Sequence, residues 1–355
     1  MKNNLKKVIS LFLTVIMFIV PFSMLGCEKE QPEYLDFDYF EMDTYIKIRL
    51  GRSAGGVGYL SDDYLRSVAD ECDKILQKLD LYLSSHNEKS QLYSLNSSIE
   101  MMIGVDSDLL STLKTAEKLS AMTDGAYDYT LGPLTELWNI NGGGPVPKEE
   151  DISEALSHTG RDKFVFDADN ITKTDKKAKI DLGGIGKGMA TQVILDYLAT
   201  TDVTYGIVSL GGNIGVYGAK PEYNSYKIGV RDPDDANGVI GYMYVSSGFI
   251  SVSGDYERYF EVDGKRYHHI LDSTTGRPAD SGVRSVAVHS SNGSAADALS
   301  TALFVLGVDK SLELYEKGEL DFEAIFITND GKIVTTPGIT DSDFLLTSEN
   351  YVYSK

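Results

Sequence analysis

The sequence predicts an α+β fold in which helices pack on mixed or antiparallel sheets. In the first half of the chain, apolar residues recur every three or four positions, as in amphipathic helices. From about residue 163 onward, short β-rich runs separated by turn residues dominate instead. A wound βαβ sheet would require strands and helices to alternate regularly, and this pattern does not. With 355 residues, 42% of them hydrophobic, the chain can form a packed core.

The N-terminus has the composition of an export signal. Three lysines within the first seven residues precede a 13-residue apolar run at 8–20, which is short for a membrane span. The motif Leu25-Gly26-Cys27 is similar to a bacterial lipobox, in which the cysteine is lipid-modified and begins the mature protein. An ordinary signal peptide with an incidental cysteine is the alternative. We expect an extracytoplasmic protein, lipid-anchored to a bacterial cell membrane through Cys27. Its expected parts are a signal peptide at 1–26, a lipidated tether at 27–38 and one domain at 39–355.

The helices are predicted from apolar spacing and capping residues. A β-rich run at 40–50 predicts a first strand, and Ser61 or Asp62 then caps a long helix that extends to about Leu83. Cys72 lies within that helix and is expected to be a small buried residue, since acylation of Cys27 excludes an internal disulfide. Further helices are expected at 107–122, 149–157, 187–200, 294–307 and 309–317.

The strands are predicted from β-rich runs bounded by turns. Asp263-Gly264 lies between two alternating runs and indicates a type I′ hairpin. A last hairpin is expected to turn at Asn329-Asp330-Gly331. The other strands are expected at 163–167, 178–181, 205–210, 226–231, 239–245, 249–253, 257–262, 265–270 and 283–289.

The formal net charge of −20 argues against a nucleic-acid partner, because such a surface repels phosphates. An anionic ligand would need a local cation or a metal. The glycine-rich segment 181–190 joins a predicted strand to a helix, where backbone groups approach a ligand closely and the helix start favours anions. Its spacing, Gly184-x-Gly186-x-Gly188, matches neither a P-loop nor a dinucleotide fingerprint. By itself, the segment is explained equally well as a tight structural turn.

Two other clusters carry side chains suited to catalysis. Asp297 and Thr301 are four residues apart on a predicted helix, so their oxygens face the same side, and a carboxylate with a hydroxyl suits Mg²⁺. A helix-start aspartate with a packed threonine is the alternative. His268 and His269 are adjacent on a predicted strand and point to opposite faces, so at most one readily enters a site.

Taken together, the motifs resemble those of the ApbE family, the FAD:protein FMN transferases. The resemblance extends from about residue 40 to 335. The matching motifs, in chain order, are Met42-Asp43-Thr44, Asp128-x-Thr130-x-Gly132-Pro133-Leu134, Asp181-Leu182-Gly183-Gly184-Ile185-Gly186-Lys187-Gly188, Ser209-Leu210-Gly211-Gly212-Asn213, Ser253-Gly254-Asp255-Tyr256, His269-Ile270-Leu271-Asp272 and Asp297-x-x-x-Thr301.

The resemblance implies a T-fold-like α+β arrangement around one FAD cleft, and it assigns roles to single residues. His269 matches a proposed catalytic base. The implied Mg²⁺ ligands are Asp297, Thr301 and the backbone carbonyl of Gly184, where the family often has alanine. The residues that match positions lining the FAD site are Met42, Tyr82, Ala126, Tyr127, Asp128, Asp181, Lys187 and Leu271.

The implied reaction transfers FMN from FAD to a Thr or Ser hydroxyl of an acceptor flavoprotein, such as a membrane electron-transfer subunit. The transfer is Mg²⁺-dependent, forms a phosphoester and releases AMP. A histidine suits the base because its ordinary pKa is near the working pH, and Asp255 or Asp272 could orient it. Two alternatives stay open: an Mg²⁺-dependent FAD pyrophosphatase and a non-catalytic flavin-binding lipoprotein.

Overall fold

The computed structural model describes residues 33–54, 58–220 and 224–354. The expected signal peptide, Cys27 and most of the expected tether lie outside these residues, so the three-part division of the chain stays a prediction. Within the described ranges, no helix is both long enough and apolar enough to cross a membrane.

The helices have the following bounds. They are α1 Asp62–Leu83, α2 Gln91–Ser97, α3 Ser107–Met122, α4 Gly132–Trp138, α5 Glu149–Ser157, α6 Gly186–Leu198 and α7 Gly293–Glu316. Short 3₁₀ turns occupy Ile140–Gly142 and Arg161–Lys163.

The strands are numbered in chain order. They are β1 Tyr34–Glu41, β2 Thr44–Gly51, β3 Ser53–Ala54, β4 Gly58–Tyr59, β5 Met102–Gly104, β6 Phe164–Phe166, β7 Asn170–Lys173, β8 Gly206–Leu210, β9 Asn213–Tyr217, β10 Tyr226–Asp232, β11 Asp235–Val245, β12 Gly248–Gly254, β13 Tyr259–Val262, β14 Lys265–His268, β15 Leu271–Asp272, β16 Arg277–Pro278, β17 Val283–Ser290, β18 Glu323–Thr328, β19 Lys332–Thr335, β20 Phe344–Leu346 and β21 Val352–Tyr353.

A nine-stranded sheet with the order β1-β2-β8-β9-β12-β17-β18-β19-β21 organises the fold. Its pairs from β2 to β19 are antiparallel, and β21 joins β19 in parallel. Helices α1, α6 and α7 pack on one face of this sheet. The sheet β10-β11-β20 packs on the other face through a shared apolar cluster that includes Ile250, Ile325 and Met243. The apolar side chains of the large sheet are therefore buried on both faces.

Helices α6 and α7 touch through glycine. A Cβ added at Gly188 would lie 2.1 Å from the carbonyl oxygen of Gly293, and one added at Gly293 would lie 2.3 Å from that of Gly188. Side chains are therefore sterically excluded at both positions. This close approach brings the first turn of α6, with Lys187, next to Asp297 on α7.

Most predicted elements are confirmed, and the exceptions have local causes. The helices at 107–122 and 149–157 have the predicted bounds, and Gly307, with φ of 76°, separates the two predicted parts of α7. The single strand predicted at 40–50 is wrong, because the chain turns at Met42-Asp43 into a hairpin of two strands. The strand predicted at 178–181 is also wrong, because the side chain of Asn96, rather than a neighbouring strand, bonds both backbone groups of Ile180, at 2.8 Å each.

Candidate active site

One cleft of about 490 Å³ gathers nearly all the predicted site residues. Its wall is formed by the β1–β2 turn, the glycine-rich segment, the start of α7 and the segments that flank the β13–β14 hairpin. The predicted residues that line it are Met42, Ala126, Tyr127, Asp128, Asp181, Gly184, Lys187, His269, Leu271, Asp297 and Thr301. Residues up to 259 positions apart in the chain, Met42 and Thr301, therefore meet where the resemblance places one ligand cleft.

Tyr82 is the exception, since it is not among the residues that line the cleft. Its ring packs instead against an apolar cluster on the α3 side of the core, and Lys78 lies over it at 5.7 Å. Leu83 and the residues that follow α1 line the cleft in its place. The place of Tyr82 in the FAD site, which the resemblance implies, therefore stays a prediction that this geometry does not support.

The turn at Met42-Asp43 places two residues in an unfavourable backbone region at the cleft. Their φ values are 53° and 55°, a left-handed conformation that hairpin turns usually assign to asparagine, aspartate or glycine, so Met42 is the unusual residue. Such strain costs about 1–3 kcal/mol per residue and is retained mainly where function needs it. Both residues line the cleft, which agrees with a ligand-binding role for this turn.

The glycine-rich segment is folded by Asp181. The Asp181 carboxylate accepts hydrogen bonds from the Gly183 N–H (2.7 Å) and the Thr135 hydroxyl (2.8 Å). Helix α6 then begins at Gly186 without a side-chain cap from its own N-cap residue, Ile185. Lys187 lies in the first turn and donates to the Gly183 carbonyl at 3.2 Å. The segment thus presents a helix start and a lysine to the cleft, a combination that favours phosphate.

Asp297 is held rigidly at the base of the cleft. The side chain is buried, with 4% of its surface exposed. One carboxylate oxygen accepts from the Gly188 N–H at 2.9 Å, so Asp297 caps α6 from the neighbouring helix. The other oxygen accepts from the Asn213 amide (3.1 Å) and the Ser251 hydroxyl (3.2 Å). The orientation of the carboxylate is therefore set before any ligand binds.

The three residues predicted to bind Mg²⁺ are brought together. Thr301 lies one turn after Asp297 on α7, and its hydroxyl is 3.2 Å from the point where a Cβ of residue 184 would stand. A carboxylate, a hydroxyl and a carbonyl are all hard oxygen ligands of the kind Mg²⁺ uses. In the described ranges, no three His, Cys, Asp or Glu residues cluster as a metal site, and Mg²⁺ at such a site usually binds water and phosphate oxygens of the ligand as well.

The hydroxyl of Tyr127 is a further group suited to bind an anionic ligand in the cleft. It is buried and has no hydrogen-bond partner within the described part of the chain. Burial raises the pKa of Tyr127 well above its ordinary value, and the negative charges of Asp297, Asp181 and Asp128 raise it further. The hydroxyl therefore keeps its proton and is a donor without an acceptor, which a phosphate oxygen in the cleft would supply.

His269 has the geometry of a base. Its Nδ1 lies 3.3 Å from the Arg258 carbonyl, to which the His269 backbone N–H also donates at 3.1 Å. A proton on Nδ1 would be donated to that carbonyl, which leaves Nε2 unprotonated. Burial lowers the pKa of His269 well below its usual range, and the charge of Arg258 lowers it further. The imidazole is therefore neutral at neutral pH and able to accept a proton.

His268 points to the opposite face, as strand geometry requires. It is buried, its Nε2 lies 3.1 Å from the Ala279 carbonyl, and its ring meets Phe304 edge-on. Of the two adjacent histidines, only His269 lines the cleft.

Neither acidic residue expected to orient His269 does so. Asp255 is bonded to two arginines, Arg266 at 3.3 Å and Arg284 at 3.0 Å. Asp272 accepts from the backbone and hydroxyl of Thr274, both at 2.7 Å. The expectation is corrected: the carbonyl of Arg258 orients the imidazole, because the hairpin register places residues 258 and 269 opposite each other.

Arg258 is a cleft residue that the sequence motifs did not single out. Its side chain is exposed, lines the cleft and forms no ion pair within the described ranges. The signal was present in the type I′ turn: counting outward from Asp263-Gly264 pairs 262 with 265 and hence 258 with 269. Arg258 and Lys187 thus supply two cations, the number of charges on a pyrophosphate diester.

The family model of the ApbE family matches residues 42–326. The chain belongs to the ApbE family. A curated ApbE-family relative from Vibrio cholerae, named FAD:protein FMN transferase, is 30% identical over 316 residues, which cover 87% of this chain and 92% of the relative. A relative of the same name from Treponema pallidum is 32% identical over 296 residues, covering 78% and 81%.

Solved structures of the ApbE family share the fold. The ApbE protein of Thermotoga maritima superposes with a TM-score of 0.78 at 34% identity, covering 86% of this chain and 97% of that one. The flavin transferase ApbE of Vibrio cholerae gives a TM-score of 0.76 at 27% identity, with the same coverage of both chains. The predicted α+β, ApbE-like fold is therefore confirmed.

Proposed function

We propose that this chain transfers the FMN half of FAD to a threonine or serine hydroxyl of an acceptor protein, through a phosphoester bond and with release of AMP. The observation that carries the proposal is that a neutral, oriented imidazole and an oxygen cluster suited to Mg²⁺ face the same cleft. When a hydroxyl attacks a pyrophosphate, a base must take the proton of the hydroxyl and a phosphate-binding centre must stabilise the negative charge. This cleft contains residues suited to both roles.

In the proposed reaction the acceptor hydroxyl attacks the FMN-side phosphorus of FAD. Its oxygen forms the new P–O bond while the bond from that phosphorus to the oxygen of the AMP phosphate breaks, and AMP leaves with that oxygen. Nε2 of His269 takes the proton of the hydroxyl, which is a weak nucleophile until it is deprotonated. Lys187, Arg258 and the start of α6 hold the negatively charged phosphate oxygens.

Asp297, Thr301 and the carbonyl of Gly184 would hold Mg²⁺. The ion would supply positive charge to the phosphate oxygens as the leaving group departs. Asp297 needs no rearrangement for this role, because three donors already fix its carboxylate.

One assay separates the transferase from its two alternatives. We expect FAD, Mg²⁺ and an acceptor flavoprotein to yield AMP together with flavin that stays on the acceptor after denaturation. A pyrophosphatase would release AMP and free FMN equally well without an acceptor. A passive binder would release neither, and that result would contradict the proposal.

We further propose that the acceptors are membrane electron-transfer subunits or other extracytoplasmic flavoproteins, reached by an enzyme anchored through Cys27. The support is the lysine-rich start, the apolar run and Leu25-Gly26-Cys27. In a bacterial host we expect Cys27→Ser either to release the protein from the membrane fraction or to block its processing, as followed by fractionation and mass of the mature chain. A variant that is still membrane-bound and fully processed would refute the anchor.

A further inference from the structure

The hairpin of β13 and β14 is a two-stranded sheet, and the outer edge of β13, like that of β14, pairs with no other described strand. Among the described strands, β13 pairs only with β14. Tyr259, Glu261 and Val262 are exposed on it, whereas Phe260 is buried against Tyr267. A strand at the edge of a sheet presents unpaired backbone N–H and C=O groups to other chains.

The register shows which backbone groups are free. Bonded and non-bonded pairs alternate along an antiparallel ladder. The bond from the His269 N–H to the Arg258 carbonyl shows that Arg258 faces β14, and Phe260, two residues on, faces it as well. The backbone groups of Tyr259 and Glu261 therefore point outward. In the ranges that the structure covers, these outward groups have no hydrogen-bond partner.

This open edge leads directly into the cleft. Glu257 and Arg258, which precede β13, line the cleft. Side chains alternate along a strand, so Arg258 and Phe260 project on the same face, which is the face of Trp138 at the cleft wall. At Phe260 this face is packed against Trp138 and Gly144, so a strand added along β13 would place a side chain in the cleft only beside Arg258.

We propose that the outer edge of β13 binds the acceptor segment that carries the target hydroxyl, as an added extended strand. The inference rests on the function proposed above. Neighbouring strands lie about 4.8 Å apart, so the added strand would run about 10 Å from β14. The target hydroxyl would therefore have to lie at the cleft end of the added strand, beside Glu257 and Arg258, which line the same cleft as His269. Main-chain bonds would order a flexible segment, while side-chain contacts on the cleft face would select it.

Glu261→Pro tests the edge. Proline removes an N–H that points away from β14, so the hairpin keeps its internal bonds. With an FMN-accepting subunit of a membrane electron-transfer complex as the probe, we expect the KM for the acceptor to rise at least tenfold. FAD affinity should be unchanged. The matched control, Glu261→Ala, loses the same carboxylate and its contact with Arg266 but keeps the N–H, and its KM should stay within twofold of the wild type.

A second measurement covers the case in which Glu261→Pro does not fold. Ten-residue peptides centred on the flavinylated threonine of the probe would each carry one N-methylated amide. Methylation at every second position should raise the KM, while methylation at the intervening positions should not, because only alternate N–H groups face β13. A folded Glu261→Pro enzyme with the wild-type KM, or a peptide series without alternation, would overturn the proposal. If the wild type binds FAD but modifies no acceptor, the proposed function fails instead, and this is seen before any variant is compared.

Discussion

Asp297→Ala is expected to lower flavin transfer by about 10³-fold or more, since a metal that neutralises phosphate charge supplies several kcal/mol to the transition state. The same change should lower the free energy of unfolding. It leaves the Gly188 N–H and the Asn213 amide without this acceptor, at about 1–3 kcal/mol for each buried group, whereas the Ser251 hydroxyl keeps Ser300 as a partner at 3.1 Å. Transfer rate and melting temperature should therefore be measured on the same samples.

Two variants separate loss of the metal from loss of stability. Ser251→Ala removes the bonds of this hydroxyl to Asp297 and to Ser300 but no proposed ligand, so it should lower stability by about 1–2 kcal/mol and keep transfer. Thr301→Val removes a proposed ligand and keeps the side-chain shape, so higher Mg²⁺ should restore its rate. Wild-type turnover at full rate in EDTA would exclude a metal at this site.

His269→Ala is expected to lower transfer by about 10²–10⁴-fold, the usual contribution of a general base, and to leave FAD affinity nearly intact. The wild-type rate should fall only when the pH drops below 6.5, because a protonated imidazole cannot accept a proton and the pKa of His269 lies well below that value. The variant should lack this acidic limb. The measurement is a pH–rate profile of both enzymes at saturating FAD.

A small exogenous base distinguishes a catalytic from a structural role of His269. Added imidazole should partly restore transfer by His269→Ala if the side chain acts as a base, and should not if it only packs. His268→Ala is the matched control: it alters the same hairpin on its other face and should affect transfer far less. Equal losses in the two variants would mean that the base lies elsewhere.

Much of the secondary structure could be predicted from local sequence patterns, because helix caps and tight turns depend on residues that are close together in the chain. The Ser61 hydroxyl accepts from the Tyr64 N–H at 3.2 Å at the predicted start of α1, and Asp263-Gly264 takes positive φ at both positions. The turn at Met42-Asp43 was missed because it lacks the usual Asn-Gly or Asp-Gly signal, and methionine in particular does not favour positive φ. The path of 178–181 was missed because only one parallel bridge, from Lys179 to Leu131, forms there, and the side chain of Asn96 bonds both backbone groups of Ile180.

The candidate site could be predicted only as a set of residues. Spacing alone placed Asp297 and Thr301 on one helix face, but no pattern showed that α6 would donate its Gly188 N–H to that carboxylate. The partner of His269 was missed for a related reason: it is a backbone carbonyl, which leaves no trace in side-chain identity. Tyr82 shows a second limit of sequence patterns. An aromatic residue near a cleft can equally well pack in a hydrophobic core, and Tyr82 packs against one.

Trp138 is fixed in place by its stack on Tyr267, with ring centres 5.7 Å apart, and its position has a consequence for the fluorescence of the protein. Trp138 is the only tryptophan of the chain and lies at the cleft wall. Flavins absorb in the range where tryptophan emits, so energy transfer from this indole to a bound isoalloxazine ring would quench its emission. The wild-type protein thus contains a single built-in donor whose fluorescence reports on occupancy of the cleft, without any added label.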